Sequence, residues 1–132
     1  MHTTKNIGII SLNCGGTAGH MSLTTKISER LAKRKNKIFL FTDNDYSKYL
    51  RNKKVNFELK NLTHGTHKKA VGGCLNYDNI EELYLLIEET KISTLIFSTF
   101  YDLRLLEYCK LKKIKTILIS YPLRDSHREA IR

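Results

Sequence analysis

Short, continuous apolar runs alternate along this chain with segments of helical periodicity. The runs cover 5–12, 37–42 (KIFLFT), 94–98 (TLIFS) and 116–120 (TILIS), and a weaker, alternating run covers 55–59. Strands that are apolar on both faces are typical of a parallel sheet covered by helices on each side. With right-handed crossovers, we expect an α/β fold: a Rossmann-like, three-layer α/β/α domain whose mainly parallel sheet has about five or more strands. The alternating run predicts a half-exposed strand near an edge.

Three segments have the spacing of amphipathic helices. The first covers 21–34, where Leu23, Ile27 and Leu31 share one face, and Asn36 is expected to end it in the left-handed conformation. The second extends from a cap at 78 or 79 to about residue 91, and the third covers 102–113. Their expected core contacts are Leu83, Leu86 and Ile87 in the second helix, and Leu103, Leu106 and Leu111 in the third. Shorter helices are predicted after Asp43 and over 126–132, whereas 62–77 reads as an irregular, mobile loop.

Length and charge limit the classes of protein to consider. The 132 residues are enough for one domain with a real core, spanning 1–132, and the longest apolar runs fall far short of the ~20 residues that cross a bilayer. Three cysteines without CxxC spacing, and no secretory signal, predict a reducing, cytoplasmic location. A net charge of +10 favours anionic partners, although a solvated lysine surface explains it equally well. No nucleic-acid-binding motif accompanies the charge, so we expect no nucleic-acid partner.

A glycine-rich turn, Cys14-Gly15-Gly16-Thr17-Ala18-Gly19-His20, joins the first strand to the first helix. Such a turn lets backbone N–H groups approach a ligand, and the helix N-terminus adds partial positive charge, so the site suits an anion or a hydroxyl-bearing ligand. His20 is the side chain there that could exchange a proton near neutral pH. The spacing is neither G-x-G-x-x-G nor that of a phosphate-loop NTPase. Asp43, after the second strand, could imitate a ribose-binding acid, which keeps a nicotinamide or flavin enzyme open as an alternative.

The run 9–43 resembles the amino-terminal half of a GT-B glycosyltransferase of the family 28 type, which includes the N-acetylglucosaminyltransferase that makes the peptidoglycan lipid intermediate. Those enzymes open with a strand, a G-G-T-x-G-H turn, a helix with a basic end and a second strand. This chain matches with Gly15–His20, where Ala18 replaces a usual glycine, then Lys33-Arg34 and the strand 38–42. Arg124-Asp125, after the last strand, resembles an L-R-D segment of some predicted members.

The resemblance implies a hexosyl transfer from a nucleotide sugar to an acceptor hydroxyl, without a cofactor. This chain would be the acceptor-binding domain, with the donor-binding domain absent, so it would be a fragment of a longer enzyme or one subunit of a split one. The predicted helix over 126–132 favours a fragment. The acceptor is expected to be lipid-linked or phosphorylated.

The resemblance also assigns residues. His20 is the candidate general base that takes the proton of the acceptor hydroxyl; a helix cap is its structural alternative. The candidate substrate-binding residues of the turn are Gly15, Gly16, Thr17 and Gly19, and two further candidates, Tyr101 and Arg124, come from their position just past the ends of predicted strands. Tyr101 would stack on a sugar ring and Arg124 would contact a phosphate; a packed aromatic and a surface pair with Asp125 are the alternatives. Asp102 is a weaker candidate, since an Asp at that position also caps a helix.

Two other functions remain open from the sequence: a nucleotide-sugar hydrolase of related fold, and a non-catalytic subunit of a split glycosyltransferase. A zinc site is conceivable at His64, His67 and Cys74, but no fourth ligand is evident and we expect no metal. The cationic and apolar residues 68–71 suit the surface of an anionic membrane, so we expect a peripheral contact at its inner face.

Overall fold

A computed structural model describes residues 5–11, 18–42, 56–62, 67–71, 74–98 and 101–119. The elements in chain order are β1 (Asn6–Ser11), α1 (Ala18–Lys33), β2 (Lys37–Thr42), β3 (Glu58–Asn61), β4 (His67–Val71), β5 (Cys74–Tyr77), α2 (Ile80–Thr90), β6 (Thr94–Ser98), α3 (Leu103–Leu111) and β7 (Lys115–Ile119). Five strands form one parallel sheet in the order β3-β2-β1-β6-β7. The predicted α/β, Rossmann-like fold is confirmed. The short helices predicted after Asp43 and over 126–132 lie outside the described residues.

The sheet separates two apolar clusters, which makes the three layers. Alternate strand residues, Ile7, Ile9, Ile38, Leu40 and Ile96, pack on one face with α1, through Ile27 and Leu31. The other face packs against α2 and α3 through Ile10, Phe39, Phe41, Leu95 and Phe97. Gly8 in β1 lies where there is no room for a side chain, since a Cβ would stand 2.7 Å from Phe41 Cε2 and 2.8 Å from Ile92 Cδ1. Strands buried on both faces explain why the sequence shows continuous apolar runs there.

Helix α1 differs from its prediction at both ends. It begins at Ala18, three residues before Met21, so Gly19 and His20 lie in its first turn rather than in the turn before it. At the other end Lys35, with φ of 65°, takes the left-handed conformation expected of Asn36. The Asn36 side chain instead donates a hydrogen bond to the carbonyl oxygen of Leu31 at 3.0 Å. It thereby satisfies one of the carbonyls that the end of a helix leaves without an intrahelical partner.

The predicted apolar face of α2 is confirmed, and that of α3 is wrong in part. In α2 Leu83 and Ile87 are buried and Leu86 is partly buried; Asn79 precedes the helix but makes no side-chain capping bond. In α3 Leu105 and Cys109 are buried, Leu106 is partly buried, and Leu103 and Leu111 are 57% and 82% exposed. The prediction followed leucines alone, but a cysteine four residues after Leu105 is also a small apolar residue and completes the buried stripe.

The region between β2 and α2 contains more regular structure than the sequence indicated. Strand β3 lies at the sheet edge as predicted, but it covers Glu58–Asn61, later than the predicted 55–59. Strands β4 and β5 form an antiparallel pair within what was expected to be an irregular loop. In the sequence, Gly72-Gly73 separates the two strands, and a Gly-Gly pair between two strands is typical of a hairpin. The surrounding sequence is irregular, so this signal was not recognised. Because β3 runs toward the carboxyl edge of the sheet and α2 starts there, the hairpin belongs to that edge.

Candidate functional site

Three neighbouring strands end in hydroxyl residues at the carboxyl edge of the sheet. Ser11 ends β1 opposite Thr42 of β2, and the pairing of Ile10 with Phe97 puts Ser98 of β6 beside Ser11. These three residues, here called the hydroxyl row, are at most 1% exposed. All three share the α1 face of the sheet, because the residues two positions earlier in each strand pack toward α1. In open α/β sheets this edge is where ligands bind.

Helix α1 packs on the hydroxyl row through hydroxyl groups of its own. The Thr24 and Ser98 hydroxyl oxygens lie 2.9 Å apart in a buried hydrogen bond. The Ser28 hydroxyl donates to the Thr24 carbonyl at 2.8 Å, and both Thr24 and Ser28 are fully buried. Hydrogen bonds are directional, so this contact fixes the height and rotation of α1 over the sheet more narrowly than methyl packing would.

The Ser11 hydroxyl stands out within this layer. Of the buried side-chain nitrogen and oxygen atoms in the described residues, Ser11 Oγ alone has no hydrogen-bond partner. A buried group left in this state costs about 1–3 kcal/mol. Ser11 is the last described residue of β1 before the glycine turn, so its free hydroxyl can take a hydrogen bond from a water molecule or a ligand at that edge.

The N-terminus of α1 supplies the second part of the site. This helix has 16 residues, and its first N–H groups have no intrahelical partner, which gives that end a partial positive charge. The backbone of Gly19 and His20 lies in this first turn. Gly15, Gly16 and Thr17 lie outside the described residues. The strand, the glycine-rich segment and the helix thus follow one another along the chain in the predicted order, with His20 in the first turn of the helix.

Tyr101 and Asp102 follow β6 at the same edge. Tyr101 is partly buried and packs against the cluster between the sheet and α2–α3, so its predicted sugar-stacking role stays a prediction beside this packing role. Asp102 is the N-cap of α3 and accepts a hydrogen bond from the Arg104 backbone N–H at 2.8 Å, which confirms the helix-cap alternative. Arg124 and Asp125 lie outside the described residues.

An ion pair between the buried Asp102 and the partly exposed Arg104 ties the β4–β5 hairpin to this edge. Asp102 is 2% exposed, and its Oδ2 lies 2.9 Å from Arg104 Nη2 and accepts from the Tyr77 backbone N–H at 3.2 Å. The same Arg104 nitrogen donates to the Tyr77 carbonyl at 2.6 Å. Hydrogen bonding to Asp102 raises the pKa of Arg104 above its usual value, so the guanidinium remains charged. Sequence reasoning missed Arg104, although its position two residues after a capping Asp was a usable signal.

Several residues that the sequence singled out lie in the β4–β5 hairpin. His67 lies in β4 and Cys74 in β5, and within the described ranges no three His, Cys, Asp or Glu side chains group as metal ligands. Residues 68–71, expected to form a membrane-facing loop, lie in β4. In the part of the chain that is described, no helix combines the length and apolar character needed to cross a membrane. Cys109 is fully buried in the core, and this burial raises the pKa of its thiol to about 11.

The fold is similar to that of a known glycosyltransferase. A solved structure described as the "Glycotransferase of kitacinnamycin" matches with a TM-score of 0.67 and 16% sequence identity over 99% of this chain. The present chain spans 34% of that protein's length. At this identity the likeness shows the fold. No protein-family model and no curated protein sequence matches the chain.

Proposed function

We propose that this chain is the acceptor-binding, amino-terminal domain of a GT-B glycosyltransferase of the family 28 type. The donor is a nucleotide sugar, no cofactor takes part, and the acceptor hydroxyl belongs to a lipid-linked or phosphorylated molecule. The observation that carries the proposal is the succession of β1 and α1 on either side of the glycine-rich segment. In the chain, the G-G-T-A-G-H sequence follows β1, the central strand, and runs into the first turn of α1, and the fold is similar to part of a glycosyltransferase.

The chemistry follows from that placement. The acceptor oxygen must lose a proton as it attacks the anomeric carbon, and the bond from that carbon to the nucleotide diphosphate breaks. His20, in the first turn of α1, is the proposed base that takes the proton. Gly15, Gly16, Thr17 and Gly19 would present backbone N–H groups to a phosphate of the acceptor or donor. Tyr101 and Arg124 would complete the contacts to sugar and phosphate.

The nucleotide-binding domain would come from further polypeptide, in the same chain or in a partner. This follows from the proposed role and agrees with the share of the glycosyltransferase that the chain matches, which is 34%. The net charge of +10 suits an acceptor with phosphate groups and a peripheral position at an anionic membrane, and no nucleic-acid partner is proposed.

The test is product analysis with the native assembly, isolated from its source cells through a tag on this chain. The assembly is incubated with a panel of nucleotide sugars, with and without a membrane lipid extract as acceptor. Transfer of sugar into lipid or another acceptor supports the proposal. Release of free sugar at the same rate without acceptor would identify a hydrolase instead. Absence of both, with a partner that binds no nucleotide sugar, would contradict an enzymatic role.

A further inference from the structure

A second concave site lies at the opposite, amino-terminal edge of the sheet. The α1 face is open there beside the C-terminal end of α1, and the depression has a volume of about 390 Å³. Its floor is apolar and comes from three adjacent strands: Ile7 of β1, Ile96 of β6 and Ile117 of β7. Ile96 and Ile117 are register partners, and Ile117 is 39% exposed because nothing among the described residues covers it. The volume falls in the range of about 300–1,000 Å³ that small-molecule sites occupy.

The rim of this depression is strongly cationic. Lys5, Arg34, Lys35 and Lys115 all contribute to its lining, and none of the described residues that line it is acidic. Thr94, partly exposed and the register partner of Lys115, adds a hydroxyl to the wall. Four positive charges around one depression repel each other, and an anion bound between them would offset this repulsion.

The C-terminus of α1 accounts for only part of this charge. Its negative end corresponds to about half a charge. Its carbonyl oxygens are also occupied: that of Leu31 accepts from the Arg34 N–H at 3.2 Å and from the Asn36 side chain, and that of Ala32 accepts from the Lys35 N–H at 3.1 Å. An excess of positive charge therefore remains over an apolar floor.

We propose that this depression binds a phosphate ester with an apolar group, the phosphate at the cationic rim and the apolar part on the isoleucine floor. The site is separate from the carboxyl edge, where the proposed catalytic residues lie, so the proposal does not depend on the proposed function. It assigns a role to part of the basic surface that the transfer chemistry leaves unused.

The test uses hexyl phosphate as the probe, with inorganic phosphate and hexanol as the comparisons, and follows amide chemical shifts of the isotope-labelled chain. We expect hexyl phosphate to bind at least about tenfold more tightly than either comparison, since it uses both parts of the site. On addition of hexyl phosphate, the amide chemical shifts of Thr94 and Ile117 should change. The double variant R34Q/K115Q should weaken binding about tenfold, and more at low salt.

The matched control is K26Q/K110Q, which removes the same charge from exposed positions outside the depression. It should bind within about twofold of the parent. I117S should weaken the binding of hexyl phosphate but leave the binding of inorganic phosphate unchanged. Equal losses in both double variants, or shift changes confined to residues around His20, would overturn the proposal.

Vesicles of phosphatidylcholine, with and without phosphatidic acid, identify the source of the phosphate. Recruitment to phosphatidic acid that R34Q/K115Q abolishes, together with binding of hexyl phosphate, assigns the site to a lipid headgroup. Binding of hexyl phosphate without recruitment assigns it to a free phosphate ester. Failure of hexyl phosphate to bind overturns the proposal whatever the vesicles show.

Discussion

Asp102 and Arg104 form an ion pair in which the Asp102 side chain is buried and the Arg104 side chain is 40% exposed, with 2.9 Å between Oδ2 and Nη2. Together they take up both backbone polar groups of Tyr77, the last residue of the β4–β5 hairpin. The pair also starts α3, because Asp102 Oδ1 accepts from the Arg104 N–H. One carboxylate thus fixes a helix start and the end of a hairpin at the edge where the proposed site lies.

Replacing Asp102 by alanine should lower the free energy of unfolding by about 3 kcal/mol. The substitution removes a helix cap and leaves the Tyr77 N–H without this acceptor in a buried place. Chemical denaturation measures the change. Glu58→Gln is the matched control, since it breaks an exposed ion pair with Lys60 and should cost less than about 0.5 kcal/mol. A loss of less than about 1 kcal/mol in Asp102→Ala would contradict the assigned role.

The hydroxyl row should respond unevenly to removal of its oxygens. Ser98→Ala breaks the buried bond to Thr24 and should cost about 1–2 kcal/mol. Ser11→Ala removes a hydroxyl without a partner among the described residues, so the free energy of unfolding should stay unchanged or rise slightly. Thermal unfolding of the two variants in parallel checks this. A larger loss in Ser11→Ala than in Ser98→Ala would show that Ser11 has a partner in the resting protein.

The corrected face of α3 gives a simple comparison of two leucines. Leu105→Ala should cost about 2–4 kcal/mol because Leu105 is fully buried. Leu111→Ala removes an 82% exposed side chain and should change stability by less than about 0.5 kcal/mol. Urea unfolding of both variants measures the difference, and similar losses in the two would mean that the helix is rotated from the position described.

The free energy of unfolding should fall at alkaline pH, and ionisation of the Cys109 thiol should account for part of this fall. Its thiol pKa is raised from 9.0 to about 11 by burial, so between these values the unfolded chain loses a proton that the folded protein keeps. Ionisation therefore favours the unfolded state: the contribution of the protonated thiol to stability is intact below pH 9 and is lost as the pH rises, a loss of about 2–3 kcal/mol by pH 11. Denaturation from pH 8 to 10.5 should show a shallower decline in Cys109→Ala than in the parent. Parallel declines would contradict the assignment to Cys109.

The sequence predicted the sheet well because strands buried on both faces leave continuous apolar runs. Lys37–Thr42 and Thr94–Ser98 match the predicted strands at both ends. The sequence was a weaker guide to which apolar residues are buried, because tertiary contacts determine burial. Leu111 is as apolar as Leu105, and only packing distinguishes the exposed Leu111 from the buried Leu105. The hairpin was missed because its strands have only five and four residues and the first of them contains two lysines.

The candidate site was predicted in part, for similar reasons. The glycine motif carries its own local signal: it follows β1 in the chain, and its last three residues, Ala18, Gly19 and His20, lie in the first turn of α1. The hydroxyl row gave no such signal, since a serine or threonine at the end of one strand is ordinary. Only the register of β1, β2 and β6 brings the three together. Arg104 was missed because its partner, Tyr77, lies 27 residues away.

The most direct test of the central claim is the turnover of the native assembly with His20→Ala, measured as glycosyl transfer to the acceptor. Lys26→Ala, an exposed position on the same helix, is the control and should keep its activity. If His20 is the base, its loss should reduce kcat at least about 100-fold while the thermal unfolding midpoint stays that of the parent. Turnover within about threefold of the parent, with the fold intact, would contradict the assignment of His20 and of the glycine turn as the catalytic edge.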